Sequence, residues 1–362
     1  MSVASAAAVG PPPGMRVRLS SNESPFGPSP AAIAAANVAL NDAHRYPDDA
    51  SAALRAAIAA DEDVSAGAVA VGTGSAALLM DLIPDRCAGV AEADVLAFAR
   101  SFVVYRLAAR NAGARYIEVP TAGPATAEGP GYARDVEALL AAVSDRTRIV
   151  VLDNPGNPTG AHLTGAELEH LAGELPAHVT LVIDEAYHHF AGQQQGYRRA
   201  RELSLAHDDV VVLTTFSKAH ALAGLRVGVM IGPPALVASA DARRPRFNVT
   251  SPAQSAAIAS LADTQHVAAT IAGTIEGRAR LSAGLAALAV PHTAGLGNFV
   301  TVELGADSAP VVAAYAEHGI GVRPLAPYGM DEQIRITVGT PDEVDAVLAA
   351  SAEVLADVLS RG

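Results

Sequence analysis

Seven short runs of apolar and mostly β-branched residues recur through the first two thirds of the chain. The runs are nearly continuous rather than alternating, which is typical of strands that are covered on both faces of a sheet. The segments are AVAVGT (68–73), DVLAFA (94–99), RYIEVP (115–120), RIVVLDN (148–154), VTLVIDEA (179–186), DVVVLTTF (209–216) and LRVGVMIG (225–232). They predict a seven-stranded sheet that is buried on both faces.

Helical periodicity separates several of these predicted strands. The helical patterns cover residues 75–83, 103–112, 132–142 and 164–173. Strands that alternate with helices predict an α/β fold with a mostly parallel sheet. The last two predicted strands follow each other so closely that one of them can run antiparallel.

The hydrophobic pattern changes near residue 252. Ala-rich helical stretches at 252–289 and 308–318 surround two short strand-like segments, NFVTVEL and QIRITVG. This pattern predicts a second, smaller α+β domain, which the N-terminal segment joins. The predicted boundaries are 1–45 for the N-terminal part of the small domain, 46–250 for the large domain and 251–362 for the remainder of the small domain.

Composition and charge narrow the class of protein. The 362 residues are 50% hydrophobic and 17% charged, which is typical of a globular protein with a sizeable core. A formal net charge of −13 disfavours nucleic acid and anionic membranes as partners, because their phosphates repel it. Cys87 is the only cysteine, so neither an internal disulfide nor a cysteine-based metal cluster can form, and no metal site is expected. Residues 1–14 lack a secretory signal, and we expect a cytoplasmic protein.

Polar and small residues fall where the predicted strands end. Ligands of open α/β sheets bind outside the carboxyl ends of the strands, so these residues are candidates for one common site. They are Gly74 and Ser75, the loop Asn154 to Gly160, Asp184 with Tyr187, and Ser217 with Lys218. Each has an ordinary explanation when taken alone, such as a turn, a helix cap or a solvated lysine.

Taken together, these residues match the needs of one cofactor. Pyridoxal 5'-phosphate requires a lysine for its aldehyde, a carboxylate for its pyridine nitrogen and hydrogen-bond donors for its ring oxygen. It also requires a cationic, N–H-rich pocket for its phosphate. Each requirement has a candidate at the end of a predicted strand, so the sequence favours a pyridoxal phosphate site.

The chain resembles the fold type I, pyridoxal-phosphate-dependent aminotransferases of the histidinol-phosphate group, and it is similar to the actinobacterial aromatic amino acid aminotransferases within that group. The resemblance covers nearly the whole chain after residue 19. It rests on LSSNESPFGPSP (19–30), RYPD (45–48), GTGSAALL (72–79), RSFVVY (100–105), NPGNPTG (154–160), IDEAY (183–187), FSKAHALAGLR (216–226), NVTSPAQSAA (248–257), GVRP (321–324) and RITVGT (335–340).

The resemblance implies a role for each residue around the cofactor ring. Lys218 would bond covalently to the cofactor aldehyde, and its amine, once freed, would carry the proton of the substrate Cα. Asp184 would keep the pyridine nitrogen protonated. Asn157 and Tyr187 would hydrogen-bond the ring oxygen, and Phe102 would stack on the ring.

The resemblance also implies where the anionic groups of cofactor and substrate bind. The phosphate would be held by Gly74, Ser75, Thr215, Ser217 and Arg226, together with Tyr46 of a neighbouring subunit, so a homodimer with shared sites is expected. The substrate would be bound by Arg335, which would pair with the α-carboxylate, and by Arg323 and Asn22.

Two departures from the family's pattern bear on the substrate. The N-terminal Pro-Tyr segment common in this group is VGPPPGMRVR here, and Phe102 replaces a tyrosine common in histidinol-phosphate enzymes. Arg323 does not decide between donors, because aromatic-specific relatives keep an arginine there. We therefore expect an aminotransferase that acts on an aromatic amino acid or a histidinol phosphate type donor, with 2-oxoglutarate as acceptor.

Two other functions stay open from the residues alone. A decarboxylase resembling the threonine-phosphate decarboxylases would bind the cofactor in the same way and would differ in which Cα bond is weakened. A non-enzymatic regulator with an aminotransferase-like domain is disfavoured, because the chain is strongly acidic and has no recognisable DNA-binding helix-turn-helix.

Overall fold

The computed structural model describes residues 16–124, 131–192 and 194–356, so the interpretation of residues 1–14 lies outside the described residues. The helices are α1 (Pro30–Ala39), α2 (Ala52–Asp61), α3 (Ser75–Cys87), α4 (Val104–Asn111), α5 (Val136–Ala141), α6 (Gly165–Glu174), α7 (Arg201–Ala206), α8 (Pro234–Arg243), α9 (Ser251–Ala262), α10 (Thr264–Ala287), α11 (Ser308–Glu317) and α12 (Pro341–Val354). The strands are β1 (Val17–Arg18), β2 (Val69–Gly72), β3 (Asp94–Phe98), β4 (Arg115–Val119), β5 (Thr147–Asp153), β6 (Thr180–Asp184), β7 (Val210–Thr215), β8 (Gly228–Ile231), β9 (His292–Thr293), β10 (Phe299–Glu303), β11 (Ile320–Gly321), β12 (Arg323–Pro324) and β13 (Gln333–Thr337).

The seven predicted strands form one sheet in the order β2-β8-β7-β6-β5-β3-β4. Strands β4, β3, β5, β6 and β7 are parallel, whereas β8 is antiparallel to both of its neighbours. The connection from β7 to β8 holds no crossover helix, and strands joined in this way run antiparallel. The predicted α/β class and mostly parallel sheet are confirmed.

Both faces of this sheet are covered by helices, which explains the continuous apolar runs. In β5, Ile149 and Val151 pack on the side of α3, α4 and α8. Val150 and Leu152 point to the opposite side and pack against α5 and α6. The residues at the carboxyl edge of the sheet are therefore carried by strands whose central members are buried on both faces.

Two predicted helices begin or divide differently from the pattern. The helix predicted at 132–142 begins only at Val136, because the side chain of Asp135 caps it by accepting from the N–H of Ala138. The stretch predicted at 252–289 is divided into α9 and α10 at Asp263, whose side chain accepts from the N–H of His266. At both places a polar N-capping residue sets where a helix begins.

The C-terminal part of the chain builds a second apolar core. Strands β12, β13, β10 and β9 form an antiparallel sheet against α10, α11 and α12, and β1 pairs in parallel with β11. Helices α1 and α9 instead share a core with β2 and β8. The predicted domain boundaries at 45 and 250 remain a prediction. Among the described residues, none of the helices combines the length and the apolar character that crossing a bilayer requires.

Candidate active site

A cavity of about 220 Å³ lies at the carboxyl edge of the large sheet, where the small sheet and the N-terminal segment face it. Twelve of the predicted site residues line this cavity: Asn22, Ser75, Phe102, Asn157, Asp184, Tyr187, Thr215, Ser217, Lys218, Arg226, Arg323 and Arg335. Residues that are up to 313 positions apart in the chain (Asn22 and Arg335) therefore meet at one place.

Lys218 follows the end of β7 and directs its amine into the cavity. The Nζ atom donates to the backbone oxygen of Asn22 at 2.9 Å and lies 5.5 Å from the centre of the Tyr187 ring. Burial, and next the nearby charge of Arg335, lower the pKa of Lys218 to about 7. An amine with this pKa is largely neutral just above pH 7 and can act as a nucleophile or a base.

Asp184 ends β6 and is almost completely buried. Its carboxylate accepts from the Tyr105 hydroxyl at 3.2 Å and from the N–H of Ala186 at 3.1 Å. Burial, and next the neighbouring charge of Asp153, raise the pKa of Asp184 to about 7. Because no cationic side chain of the described residues bonds to this carboxylate, a cation bound in the cavity would find an unneutralised partner here.

Asn157, Tyr187 and Phe102 surround the middle of the cavity. The Tyr187 hydroxyl accepts from the Asn22 side chain at 2.9 Å, and burial raises the pKa of Tyr187. The side-chain oxygen of Asn157 accepts from Arg335. Phe102 packs edge-to-face against Tyr105, with 5.8 Å between the ring centres. The structure thus brings together the three residues predicted to contact a cofactor ring.

The predicted phosphate-binding residues meet at the first turn of α3. Gly74 precedes this helix with a φ of +88°, a conformation that favours glycine, and a side chain at this position would overlap the Arg226 guanidinium. The guanidinium donates to Ser217 at 3.4 Å, and the Thr215 hydroxyl donates to Ser217 at 3.0 Å. The first N–H groups of a helix lack intrahelical partners, so this corner combines hydroxyls, free N–H groups and one cation.

Arg335, on β13, is 3% exposed and lies on the opposite side of the cavity. It donates to Asn157 and, at 3.0 Å, to the backbone oxygen of Ser20, but its buried Nε has no hydrogen-bond partner within the part of the chain that the structure describes. Arg323 is directly opposite it in the antiparallel register of β12 and β13. Two cations on adjacent strands, one with an unpaired buried donor, suit an anionic ligand.

Tyr46 lies outside the cavity. It is 81% exposed, and its ring stacks on Phe247 with 4.5 Å between the ring centres. Its predicted contact is with a second subunit, so its role remains a prediction.

Residues 15–350 match the family described as aminotransferase class I and II.

The chain belongs to this family.

Individual relatives agree with this assignment. The aromatic amino acid aminotransferase of Rhodococcus jostii strain RHA1 is 40% identical over 92% of this chain and 88% of its own length. The histidinol-phosphate aminotransferase of Anaeromyxobacter sp. strain Fw109-5 is 39% identical over 93% of this chain and 90% of its own length. These two identities are nearly equal, so sequence similarity alone does not distinguish an aromatic amino acid from histidinol phosphate as the donor.

A solved structure shares the fold. The histidinol-phosphate aminotransferase of Sinorhizobium meliloti, in complex with pyridoxal-5'-phosphate, superposes with a TM-score of 0.85 at 29% identity. The match covers 96% of this chain and 92% of that chain. The predicted resemblance and fold are confirmed, and the enzyme is an aminotransferase.

Three residues beside the cavity were missed from the sequence. Tyr105 bonds Asp184, Asp153 accepts from two backbone N–H groups of the cavity wall, and Arg134 binds Asp153. Tyr105 and Asp153 lie within or beside the quoted motifs, whereas Arg134 has no local signal. A stronger signal for Lys218 was also present: it is the only lysine in the chain, against 24 arginines.

Proposed function

We propose that this aminotransferase uses pyridoxal 5'-phosphate to move an amino group from an aromatic amino acid or a histidinol phosphate type donor to a 2-oxo acid, with 2-oxoglutarate as the default acceptor. One observation carries the proposal. The only lysine of the chain shares a cavity with a buried carboxylate and a buried arginine that retains an unpaired donor.

The residues present fit the cofactor. Asp184 is a buried carboxylate without a cationic partner, and a protonated pyridine nitrogen would supply one. Gly74, Ser217 and Arg226 would hold the phosphate, since the glycine leaves room for the guanidinium. When bound, the cofactor supplies a conjugated ring that accepts the electron pair released at the substrate Cα.

Lys218 would act twice. Its amine would hold the cofactor covalently, and after an amino donor displaces it, the same amine would move the proton of the substrate Cα. The lowered pKa of Lys218 supports both roles, because the amine is neutral at lower cost than an exposed lysine. Its hydrogen bond to the Asn22 backbone oxygen orients the amine toward the N-terminal segment.

Arg335 would bind the α-carboxylate shared by amino acid donors and 2-oxo acids. Its unpaired buried Nε supports this role, because a carboxylate accepts two parallel hydrogen bonds from a guanidinium. Arg323 would add charge for donors with a second anionic group, and the exposed position of Arg323 leaves it free for that purpose. The Arg335 bond to Asn157 would couple substrate binding to the ring oxygen of the cofactor.

A panel of donors tests the proposal. Phenylalanine, tyrosine, histidine and histidinol phosphate would each be mixed with the holoenzyme, and conversion of the cofactor to its pyridoxamine form would be followed by absorbance. Histidinol, which lacks the phosphate, is the matched control for recognition of the donor's phosphate. The variant Arg323→Ala tests whether Arg323 provides that recognition. Release of carbon dioxide without a 2-oxo acid product would favour the decarboxylase and contradict the proposal.

We further propose a homodimer with shared sites. Exposed apolar side chains support it: Ile33 and Val38 on α1 are 45% and 69% exposed, and the stacked Tyr46 lies on the surface. A mixture of Lys218→Ala and Tyr46→Ala chains tests it after exchange of subunits. If sites are shared, each hybrid dimer holds one intact site of two. Because random exchange makes about half of the dimers hybrid, the activity of an equal mixture should return toward about a quarter of the wild-type value. If each site is built from one chain, no recovery follows.

We also propose a cytoplasmic location. Cys87 is free and buried, as a reducing compartment permits. Fractionation of the source cells, with the enzyme followed by antibody, would test this location.

A further inference from the structure

A buried ion pair between Arg134 and Asp153 lies beside Asp184, and its Asp153 member lines the cavity. The Arg134 guanidinium lies 2.5 Å from one oxygen of Asp153 and also donates to the backbone oxygen of the same residue. The two side chains are only 1% and 3% exposed. A buried pair of this kind costs desolvation on both sides and is weak evidence of a role in stability alone.

Asp153 connects this pair to the cavity. Its second carboxylate oxygen accepts from the backbone N–H of Phe102 at 3.2 Å and from that of Asn157 at 2.9 Å. Both residues line the cavity and are predicted to contact the cofactor ring. Asp153 is also opposite Asp184 in the parallel register of β5 and β6, so its negative charge lies beside the carboxylate proposed to pair with the cofactor nitrogen.

The chain leaves space for the Arg134 guanidinium at Gly156. A Cβ atom at this position would overlap the guanidinium, and it would lie 3.1 Å from the backbone oxygen of Ala161. The guanidinium also packs over the Phe98 ring, with its central carbon 5.5 Å from the ring centre. Gly156 and the Phe98 ring thus hold Arg134 on two sides in the orientation that binds Asp153.

We propose that Arg134 is a positioning residue for the cofactor: by holding and neutralising Asp153, it fixes the backbone of Phe102 and Asn157 around the ring and keeps Asp184 available as a carboxylate. The inference rests on the proposed function, since it assumes that the cofactor binds in this cavity. Arg134 touches neither the cofactor position nor the substrate position, so it acts only through Asp153.

The test begins with Arg134→Met in the full-length holoenzyme. The cofactor Kd, measured by absorbance after equilibrium dialysis, should rise by at least about tenfold, because an unpaired buried charge is more costly than a lost hydrogen bond. The double variant Arg134→Met/Asp153→Asn removes the charge and keeps an acceptor for both N–H groups, so it should recover most of the affinity. Arg280→Met breaks an exposed pair with Asp345 and is the control.

A second variant keeps Arg134 in the chain and guards against a folding defect. Gly156→Ala should displace the guanidinium and raise the Kd in the same direction, and it should add little in the Arg134→Met background. Gly173→Ala in α6, where a Cβ atom would meet nothing within 4 Å, is the matched control.

Unfolding midpoints with and without cofactor give a readout that is independent of activity. If Arg134 positions the cofactor site, the stabilisation that cofactor adds should shrink in Arg134→Met and return in the double variant. An unchanged Kd in Arg134→Met, or a double variant as weak as the single one, overturns the inference. A wild-type chain that binds no cofactor would instead remove the proposed function itself.

Discussion

The cavity has two walls, and they differ in which segments of the chain supply their residues. The sheet wall consists of Asp184, Ser217, Lys218 and Arg226. Asp184 ends β6, Ser217 and Lys218 follow β7, and Arg226 precedes β8. The small-domain wall consists of Asn22, Arg323 and Arg335, which come from the N-terminal segment and from β12 and β13. The sheet wall gathers residues from one stretch of 43 positions (184–226), whereas the small-domain wall joins both ends of the chain.

The two walls differ in the charges that they offer to a ligand. On the sheet wall, no cationic side chain of the described residues bonds the buried Asp184 carboxylate, and the Arg226 guanidinium bonds Ser217. On the small-domain wall, Arg335 keeps an unpaired Nε and Arg323 lies across from it with a like charge. A carboxylate and a cation together suit a cofactor that carries a protonated nitrogen and a phosphate, whereas two cations suit an anionic substrate. The difference supports a cofactor on the sheet wall and a substrate opposite it.

Replacing Lys218 by Ala should have the largest effect. Transamination should fall by at least about a thousandfold, because the chain loses both its covalent attachment point and its proton carrier. The absorbance band of the lysine-bound cofactor should disappear. Borohydride reduction followed by mass spectrometry should locate cofactor on the Lys218 peptide in the wild type, where no other lysine competes for it.

The variant also distinguishes attachment from binding. Because Arg226 and Asp184 remain, Lys218→Ala should still retain cofactor noncovalently, with the spectrum of free cofactor. Turnover close to the wild-type rate would contradict the assignment of Lys218 and with it the role of the sheet wall.

The two walls also differ in how much of them the sequence predicted. Asp184, Ser217 and Lys218 end or follow strands with continuous apolar runs, so the carboxyl edge of the sheet could be located and its residues grouped. Arg226 was assigned to the same site only through the family resemblance. The pairing of Arg335 with Asn157 and of Asn22 with Tyr187 joins segments 178 and 165 residues apart, and the pattern of single segments carries no information about such contacts. Arg134 was not predicted as a site residue for the same reason. Its partner Asp153 is 19 residues away, and its own segment was predicted as helix.

Arg335→Met should give the second largest effect, on the other wall. The value of kcat/KM for amino acid donors should fall by about a hundredfold or more, because a buried charged pair with the carboxylate is lost. Most of the loss should be in KM, and the cofactor should be retained. Arg278→Met is the control, since Arg278 makes two hydrogen bonds, as Arg335 does, but to the backbone oxygens of Phe190 and Gly297 and without lining the cavity. If the main defect were loss of cofactor, Arg335 would bind the cofactor and not the substrate carboxylate.

The pH dependence of cofactor attachment measures how strongly the charge of Arg335, on the small-domain wall, acts on the pKa of Lys218, on the sheet wall. The pKa of Lys218 is lowered from 10.5 to about 7, so the amine becomes neutral as pH rises through 7. The rate at which cofactor-free enzyme binds cofactor covalently should therefore rise by about tenfold from pH 6 to pH 8 and then level off. The rate would be followed by the absorbance of the lysine-bound form.

Arg335→Met sharpens this pH experiment. The Arg335 charge is the second largest cause of the lowered pKa of Lys218, so its removal should shift the midpoint to higher pH. The same midpoint in wild type and variant would show that the walls act independently. A rate that keeps rising to pH 10 would show that Lys218 behaves as an exposed amine.

Tyr105→Phe should give the smallest effect and tests the sheet wall in isolation. The Tyr105 hydroxyl donates to Asp184 over 3.2 Å, a long distance for an O–H donor, so we expect a cofactor Kd only about threefold higher. The direction follows from the lost donor: without it the pKa of Asp184 rises further, and less carboxylate is present to pair with the cofactor nitrogen.

Tyr315→Phe is the control for this variant. It removes an equally buried hydroxyl that bonds Ser351 at 2.7 Å, outside the cavity, and it should lower the unfolding midpoint without changing the Kd. Equal Kd changes in the two variants would mean that the Tyr105 bond is structural and that burial alone governs Asp184.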